Sequence, residues 1–372
     1  MKRIFGPAPA SAADDALPRA RPDLIPPLLL PLMALLGWGL AGSFTEWVNL
    51  TIAGIGMGMI LFMASSGMTL VLGLMKVMNF AHAIFFTLGA FVGGLVLSPN
   101  VFLLPYFGFW VDNVVVNVLS LLLSGLLGVV EYWYFSDSLW LNLCGLGAAM
   151  VLVLLVCIPV GLLFERWVIR PAGSVTLTQI MMTVAGMVVL SQLMIIIFGQ
   201  GMRVHAMPAF KSALVFGDIA IEKLRLLMIA LGLASWAGLS LLLRQTKLGL
   251  LVRATVENRE HVEAMGYQTR RLMLGMFALG VGLAAIGGLV WGVYQQGMNM
   301  RFGNTLLPLI FLVLMTGGIG SLTGTLIAAL LLALLNNYVG FAYPMFTAFS
   351  GIVLALAVIT WRPQGLYPLQ QQ

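Results

Sequence analysis

The chain has 372 residues, of which 60% are hydrophobic and only 9% are charged, and its mean hydropathy is +1.02. This composition excludes a water-soluble domain and indicates that lipid is the solvent for most of the molecule. The net charge of +6 does not point to nucleic acid, because the basic residues lie in short segments between apolar runs, as they do in membrane proteins.

The N-terminal segment, residues 1–22, is rich in Ala and Pro and carries Lys2, Arg3, Arg19 and Arg21. It has neither the early apolar core nor the small-residue cleavage site of a signal peptide. We therefore expect a retained, disordered cytoplasmic tail, followed by one membrane domain over residues 23–368.

Apolar runs follow along the rest of the chain. Lipid offers no partner for free backbone groups, so these runs must be helical. At roughly 20 residues per crossing, the sequence predicts an all-α, polytopic transmembrane bundle of about eight or nine spans, with re-entrant or broken helices. The runs cover residues 24–40, 48–72, 80–97, 141–164, 177–198, 226–243, 272–294, 306–315, 326–339 and 346–361.

Basic residues in short loops predict the orientation. Arg166, Arg170, the segment 244–271 and Arg362 should lie in the cytoplasm with both termini, and the hydrophilic stretch 199–223 should form a compact extracytoplasmic element. An insertion at 100–138 contains a further apolar run, which would invert this topology if it crossed once. We interpret the insertion as an interfacial or re-entrant element, or as a pair of shorter passes.

Ionisable groups are scarce in the apolar runs. All 13 acidic residues fall outside the predicted spans, which leaves only Lys76 and His82 near membrane depth in the first half. Proton-driven carriers usually hold such groups at the membrane centre. The chain has no G-x-x-x-x-G-K-[ST] loop, so any ATPase must be a partner. Its two cysteines, Cys144 and Cys157, lie in apolar sequence, and we expect neither a disulfide nor a metal site.

A polar break at residues 73–89 separates two apolar runs and contains Lys76, Asn79 and His82. Hydrocarbon penalises such groups, so they should face protein or water. Broken helices at membrane depth usually line a cavity. The simpler alternative is that Asn79 and His82 only satisfy a helix end at the interface.

The most charged stretch, residues 246–271, surrounds apolar residues such as Val262 with Glu257, Glu260 and Glu263. This pattern predicts a short amphipathic helix on the cytoplasmic face, ended by Gly266 as its C-cap. An exposed helix with an apolar stripe favours docking to a partner, although a solvated connecting loop remains the plain alternative.

A glycine-rich break at residues 316–325 cannot continue as an uninterrupted helix without cost. It predicts a tight re-entrant turn or a close helix crossing near the translocation route, and packing alone is the alternative for any single residue. The residues singled out in this break are Gly317, Gly318, Gly320, Ser321 and Gly324.

Five motifs in order carry a family resemblance: NFAH at 79–82, ERWVIRP at 165–171, the loop from Arg253 to Gly266, GGIGSLTG at 317–324 and RPQGLYP at 362–368. Together the five motifs resemble the permease subunits of branched-chain amino acid ABC importers, and NFAH resembles the first of the two permeases that such systems pair. The insertion, Ala83 after the motif histidine and the N-terminal tail depart from the family pattern.

The resemblance implies a non-catalytic subunit in a bacterial inner membrane. Its partners would be a second related permease, two cytoplasmic ATPases that hold ATP and Mg, and a periplasmic solute-binding protein received partly by the 199–223 segment. The residues that would couple to the ATPases are Arg253, Glu257, Glu260, Glu263, Ala264 and Gly266. The residues that would line the solute route are Asn79, His82, Ser65, Ser66 and Thr69.

The resemblance implies that this permease forms, with the second one, a pathway for a branched-chain amino acid, and then in order of expectation for urea or another small polar solute. The sequence does not decide among these, because urea, short amides and aromatic carboxylates are carried by the same family scaffold. Two rivals from other classes also stay open. One is a stand-alone secondary transporter or channel, with His82 as a proton relay; the other is a membrane anchor for an enzyme complex. The charged loop with its amphipathic core favours the ABC importer over both.

Overall fold

The structure is a computed structural model that describes residues 25–75, 78–97, 129–130, 137–173, 175–204 and 207–367. The predicted tail at 1–22 and nearly all of the insertion at 100–138 lie outside these residues.

Within this part of the chain the architecture is almost entirely helical, which confirms the predicted fold class. Seven helices are long and apolar enough to cross a membrane, and three shorter apolar helices, Ile25–Ala41, His82–Leu97 and Phe302–Gly317, accompany them. In chain order the α-helices are α1 Ile25–Ala41, α2 Phe44–Leu70, α3 His82–Leu97, α4 Leu139–Phe164, α5 Thr176–Phe198, α6 Pro208–Lys211, α7 Lys223–Gln245, α8 Lys247–Glu257, α9 Arg259–Ala264, α10 Thr269–Gln295, α11 Phe302–Gly317, α12 Leu322–Ala342 and α13 Thr347–Trp361.

Two of the long helices end in a wider helical turn. A π-helical turn, Val71–Met75, continues α2, and another, Glu165–Ile169, continues α4; a 3₁₀ turn, Pro344–Phe346, precedes α13. Such π turns inside longer helices are rare and occur often at functional sites.

The segment after α5 forms the compact element that its polar sequence predicts. The strands β2 Ala213–Phe216 and β3 Ile219–Glu222 make an antiparallel hairpin. The strand β1 Gly201–Arg203 pairs antiparallel with β4 Gly297–Asn299, which follows α10. This second pairing ties the end of α5 to the end of α10.

The helices are arranged around α2. In the most apolar 18-residue segment of α2, 83% of the residues are buried. The helices α3, α10 and α12 pack against α2 or against one another. By contrast, only 11% of the residues in the most apolar 18-residue segment of α5 are buried. Its outward side chains, such as Met181 and Ile196, are apolar and exposed, as lipid-facing residues are.

Small residues allow the central helices to approach closely. A Cβ atom added at Gly67 in α2 would lie 2.4 Å from the carbonyl oxygen of Gly280 in α10, and one added at Gly89 in α3 would lie 2.2 Å from that of Ala285. Without a hydrophobic force between helices in lipid, close backbone packing of this kind holds a bundle together.

The two sides of the insertion lie at the same end of the bundle. The end of α3 contacts β1 and β4, and Asn142 at the start of α4 accepts a hydrogen bond on Oδ1 from the backbone of Ala209 in α6. Both contacts are at the end that carries the β-strands. The end of α3 and the start of α4 therefore lie at the same end of the bundle.

Two expectations need correction. Residues 246–271 form two helices, α8 and α9, because Asn258 is extended and caps α9 through a bond from the His261 N–H to its Oδ1. Two acidic residues also lie within membrane helices: Glu46 in the first turn of α2, and Glu165, which continues α4 in a π turn and is only 9% exposed.

Candidate translocation site

The break between α2 and α3 is the centre of the candidate site. The α2 helix widens into the π turn Val71–Met75, the chain turns through Asn79, and α3 begins at His82. Asn79 and His82 are both fully buried. The polar residues of the NFAH motif therefore face protein, as their sequence predicts.

Asn79 caps the start of α3. Its Oδ1 accepts a hydrogen bond from the N–H of Ala81 at 3.1 Å, and its carbonyl oxygen accepts one from the N–H of His82 at 3.3 Å. This is the simpler role foreseen for the residue. The capping leaves Asn79 Nδ2 buried without a hydrogen-bond partner.

His82 ties α3 to α2. Its Nε2 lies 3.0 Å from the carbonyl oxygen of Ala64, and because a carbonyl only accepts, Nε2 must carry the proton. Nδ1 is then an acceptor, and it is buried with no partner. The ring also packs against Gly67, where an added Cβ would lie 2.7 Å from His82 Cε1.

A cluster of buried hydroxyl groups joins α2 to α12. Thr69 Oγ1 lies 2.8 Å from Thr325 Oγ1, and these hydroxyls also reach the carbonyl oxygens of Ser65 and Ser321. The two hydroxyl protons are shared among three contacts, so one of the three contacts lacks a proton at any moment. Ser66 donates locally to the carbonyl of Met63.

Unpaired polar atoms concentrate at this site. Ser65 Oγ, Asn79 Nδ2 and His82 Nδ1 are buried and make no hydrogen bond in the described part of the chain. Buried polar groups are normally paired, and leaving one unpaired costs about 1–3 kcal/mol. Three of the five predicted route residues thus hold hydrogen-bonding capacity that this conformation does not use.

The glycine-rich segment is a tight turn between α11 and α12. Gly318 and Gly320 have φ angles of +101° and +82°, a region that favours glycine. Ser321 caps α12 by accepting a bond from the N–H of Gly324. An added Cβ at Gly73, in the π turn of α2, would lie 2.5 Å from Gly320 Cα, so the two breaks are in contact.

The C-terminal motif is bound to the same turn. The N–H groups of Leu366 and Tyr367 donate to the carbonyl oxygens of Thr316 and Gly317, at 2.9 and 3.0 Å. The Leu366 side chain is fully buried. RPQGLYP and GGIGSLTG, recognised separately in the sequence, therefore form one structural unit.

The predicted coupling residues all lie on the surface, with Arg253 and Glu257 on α8 and the others on α9 and its end. Gly266 ends α9 as expected, with a φ angle of +87°. Its N–H donates to the carbonyl of Glu263, and the N–H of Tyr267 donates to that of Val262. These two hydrogen bonds are the pattern of a Schellman cap.

The charged face of α9 is held to α10 by Glu263. Its carboxylate accepts hydrogen bonds from Thr269 Oγ1 and from Arg259 Nε, the latter at 2.8 Å. Thr269, and after it Arg259, hold the pKa of Glu263 below its ordinary value. The bond from Thr269 to Glu263, here called the Glu263 clip, fixes the angle between α9 and α10.

A contact between α8 and the π turn Val71–Met75 links the surface segment to the break. Helices α8 and α9 and the Asn79–His82 region therefore lie at one end of the bundle, opposite the β-strands. This juxtaposition connects the exposed helices α8 and α9 to the polar interior through one helical turn.

Sequence reasoning missed some contributors to the site. Thr183 of α5 lies between the Met78 carbonyl and the Phe80 N–H, at 3.5 and 3.4 Å, and no local pattern marked it. Thr325 is the last residue of the glycine-rich break, but its partner lies 256 residues away. Among the described residues, no three His, Cys, Asp or Glu side chains come together as a metal centre requires.

A bundle of buried, broken helices with a charged surface segment at one end defines a multi-pass membrane protein. The profile of the family described as branched-chain amino acid transport system, permease component, matches residues 50–359. The chain belongs to this family of inner-membrane permeases.

Its relatives carry the same description. LivH of Escherichia coli K12, a high-affinity branched-chain amino acid transport system permease protein, is 22% identical over 87% of this chain and 96% of its own length. LivH of Salmonella typhimurium is 21% identical over the same shares. BraD of Pseudomonas aeruginosa is 22% identical over 86% of this chain and 95% of its own. No solved structure matches significantly.

Proposed function

We propose that this chain forms, with a second related permease, the solute pathway of an ABC importer for branched-chain amino acids. The family and the printed functions of LivH and BraD support this solute over urea, amides or aromatic carboxylates. A periplasmic binding protein would deliver the solute, and two cytoplasmic ATPases, which bind the ATP and Mg, would power its movement. The membrane face with α8, α9 and both termini would be cytoplasmic.

The contact of α8 with the π turn of α2 carries the proposal. Closure of the ATPases would press on α8 and α9, and the π turn is one of the membrane elements that α8 contacts, together with α7 and α10. From the π turn this pressure reaches Asn79 and His82, and the Thr69–Thr325 pair. Elements with two packed arrangements can carry such coupling over long distances.

The polar residues at the break would line the route with neutral groups. Ser65, Asn79 and His82 offer unused donors or acceptors, which a passing solute or water can occupy in the state that opens the site. ATP binding would favour an outward-open cavity and hydrolysis would reverse it. Weak solute binding is expected here, because tight binding would oppose release.

The test is ATP-dependent uptake of radiolabelled leucine by the whole transporter in liposomes. Glu260→Gln and Gly266→Ala change the proposed docking surface, and we expect each to lower uptake by about tenfold. Gly238→Ala, which fills open space in α7, is the control and should transport normally.

Uptake that does not need ATP would contradict the proposal and favour a stand-alone carrier. Uptake that needs ATP but is unchanged by Glu260→Gln and Gly266→Ala would remove α9 from the coupling surface.

A further inference from the structure

Two cavities on the strand side of the bundle share a wall. The outer one has a volume of about 560 Å³ and is lined by Gly201, Gln295, Asn299 and their neighbours beside the β1–β4 pair. The inner one, of about 290 Å³, lies between helices and is lined by residues of α2, α3 and α10 to α13. Trp291 and Phe302 line both cavities.

These two side chains are stacked. Their ring centroids are 5.3 Å apart at an interplanar angle of 24°, and Phe86 lies 6.0 Å from Phe302 on the inner side. Trp291 is only 9% exposed, and its Nε1–H is buried with no hydrogen-bond partner. An indole normally finds a partner when it is buried, so this position holds an unused donor between the two spaces.

The inner cavity matches a small amphipathic solute. Its apolar wall comes from side chains such as Leu61, Leu306 and Leu309. Asn336 and Asn337 stand in the same wall: Asn336 Oδ1 accepts from Ser350 Oγ, and Asn337 Nδ2 donates to the Leu50 carbonyl. Asn336 Nδ2 and Asn337 Oδ1 make no hydrogen bond within the described part of the chain. One neutral donor and one neutral acceptor beside an aliphatic wall suit a zwitterionic amino acid with an aliphatic side chain.

One ridge of α2 continues from this cavity to the break. Met57 and Leu61 line the cavity, and Ser65 and Thr69 follow at the same four-residue spacing. Residues four apart lie along one row of a helix surface, and this row is about 18 Å long. The inner cavity and the polar break are thus successive parts of one face.

We propose that the inner cavity is a binding site for an aliphatic amino acid and that the Trp291–Phe302 pair is the gate between it and the outer vestibule. This deepens the transport function proposed above and rests on it. Opening requires the two rings to separate, and the unpaired Trp291 Nε1–H then becomes free to donate to a solute carboxylate.

The gate is tested by thiol labelling of the complete transporter in liposomes, without ATP. Cys144 and Cys157 are first replaced by Ser and Ala, and Leu61→Cys places one thiol in the inner cavity. A charged, membrane-impermeant methanethiosulfonate reagent is added on the side of the membrane where the β-strands lie. We expect Trp291→Ala to speed labelling by about tenfold, because labelling is proportional to the open fraction of the gate.

Trp291→Phe keeps a ring and should label as slowly as the parent. Tyr294→Ala is the matched control, since Tyr294 packs 5.8 Å from Trp291 but lines neither cavity. Cys157, kept as the single thiol in a parallel variant, is buried in α4 and lines neither cavity. It should stay unlabelled with and without Trp291→Ala, which excludes general loosening.

Equal labelling rates at Leu61→Cys with and without Trp291→Ala would overturn the gate, as would an equal acceleration by Tyr294→Ala. The binding site is tested separately by Asn337→Leu, which we expect to raise the KM for leucine by about tenfold while ATP hydrolysis is retained; an unchanged KM would overturn it. If the parent transporter takes up no leucine although Trp291→Ala accelerates labelling, the proposed solute fails and the gate stands.

Discussion

Glu263 shows how one exposed side chain orients the coupling surface. Its carboxylate accepts from Thr269 on α10 and from Arg259 on its own helix. These bonds favour the charged form, so the pKa lies below the ordinary 4.5. A depressed pKa adds stability above the unfolded pKa, and this stability is lost only as the pH falls through the lowered folded value. The clip is therefore intact at neutral pH.

Thr269→Val keeps the side-chain shape and removes the hydrogen bond that lowers the pKa of Glu263 most. We expect the pKa of Glu263 to rise toward its ordinary value, measured by an NMR titration of the Glu263 carboxyl carbon. Thr255→Val, on α8, is the control, because Thr255 Oγ1 donates to the Leu251 carbonyl of its own helix. A pKa that is the same in both variants would show that Thr269 does not hold the carboxylate.

At the scale of the elements, the π turn of α2, the glycine-rich turn and the C-terminal segment contact one another. The π turn of α2 touches the glycine-rich turn at Gly73 and Gly320, and the C-terminal segment binds the other side of that turn at Thr316 and Gly317. A side chain at Gly73 would meet Gly320 backbone rather than a flexible side chain, and backbone cannot easily move away.

Gly73→Ala should therefore destabilise the bundle by about 1–3 kcal/mol, the usual cost of overpacking. The measurement is the midpoint of thermal unfolding in detergent, followed by tryptophan fluorescence. Gly238→Ala adds the same methyl group to α7, where no heavy atom lies within 4 Å, and Ala favours a helix over Gly by about 1 kcal/mol. Equal midpoints for the two variants would exclude the close contact.

The whole molecule has two distinct ends. The coupling helices, the two breaks, the start of α1 and the C-terminal segment lie at one end, where Leu29 and Met33 pack near Leu366. The β-strands and the two junctions of the insertion lie at the other. We expect the first end to be cytoplasmic, as the basic residues of the loops indicate.

Reporter fusions test this orientation in cells. Alkaline phosphatase needs disulfides, which form outside the cytoplasm, so it should be active when inserted at Gly217 in the β2–β3 turn and inactive when fused after the C-terminal residue. Green fluorescent protein at the C-terminus should fluoresce. The reverse pattern would invert the membrane topology and place α8 and α9 outside, away from any ATPase.

The sequence by itself determined the helical class, the positions of the membrane helices to within a few residues and the polar breaks. It also indicated Gly266 as a cap. These properties are local: an apolar run in lipid must be helical, and a glycine after an amphipathic turn favours a C-cap. The roles of Asn79, His82 and the hydroxyl residues in transport remain predictions.

Only the tertiary structure decided which of these segments meet. Thr69 and Thr325 are 256 residues apart in the chain, and nothing in either neighbourhood specifies the other. The Trp291–Phe302 pair, the binding of RPQGLYP to the glycine-rich turn and the contact of α8 with the π turn are likewise products of packing. In an apolar chain almost every helix face is hydrophobic, so patterning alone does not select partners; steric fit between close-packed backbones does.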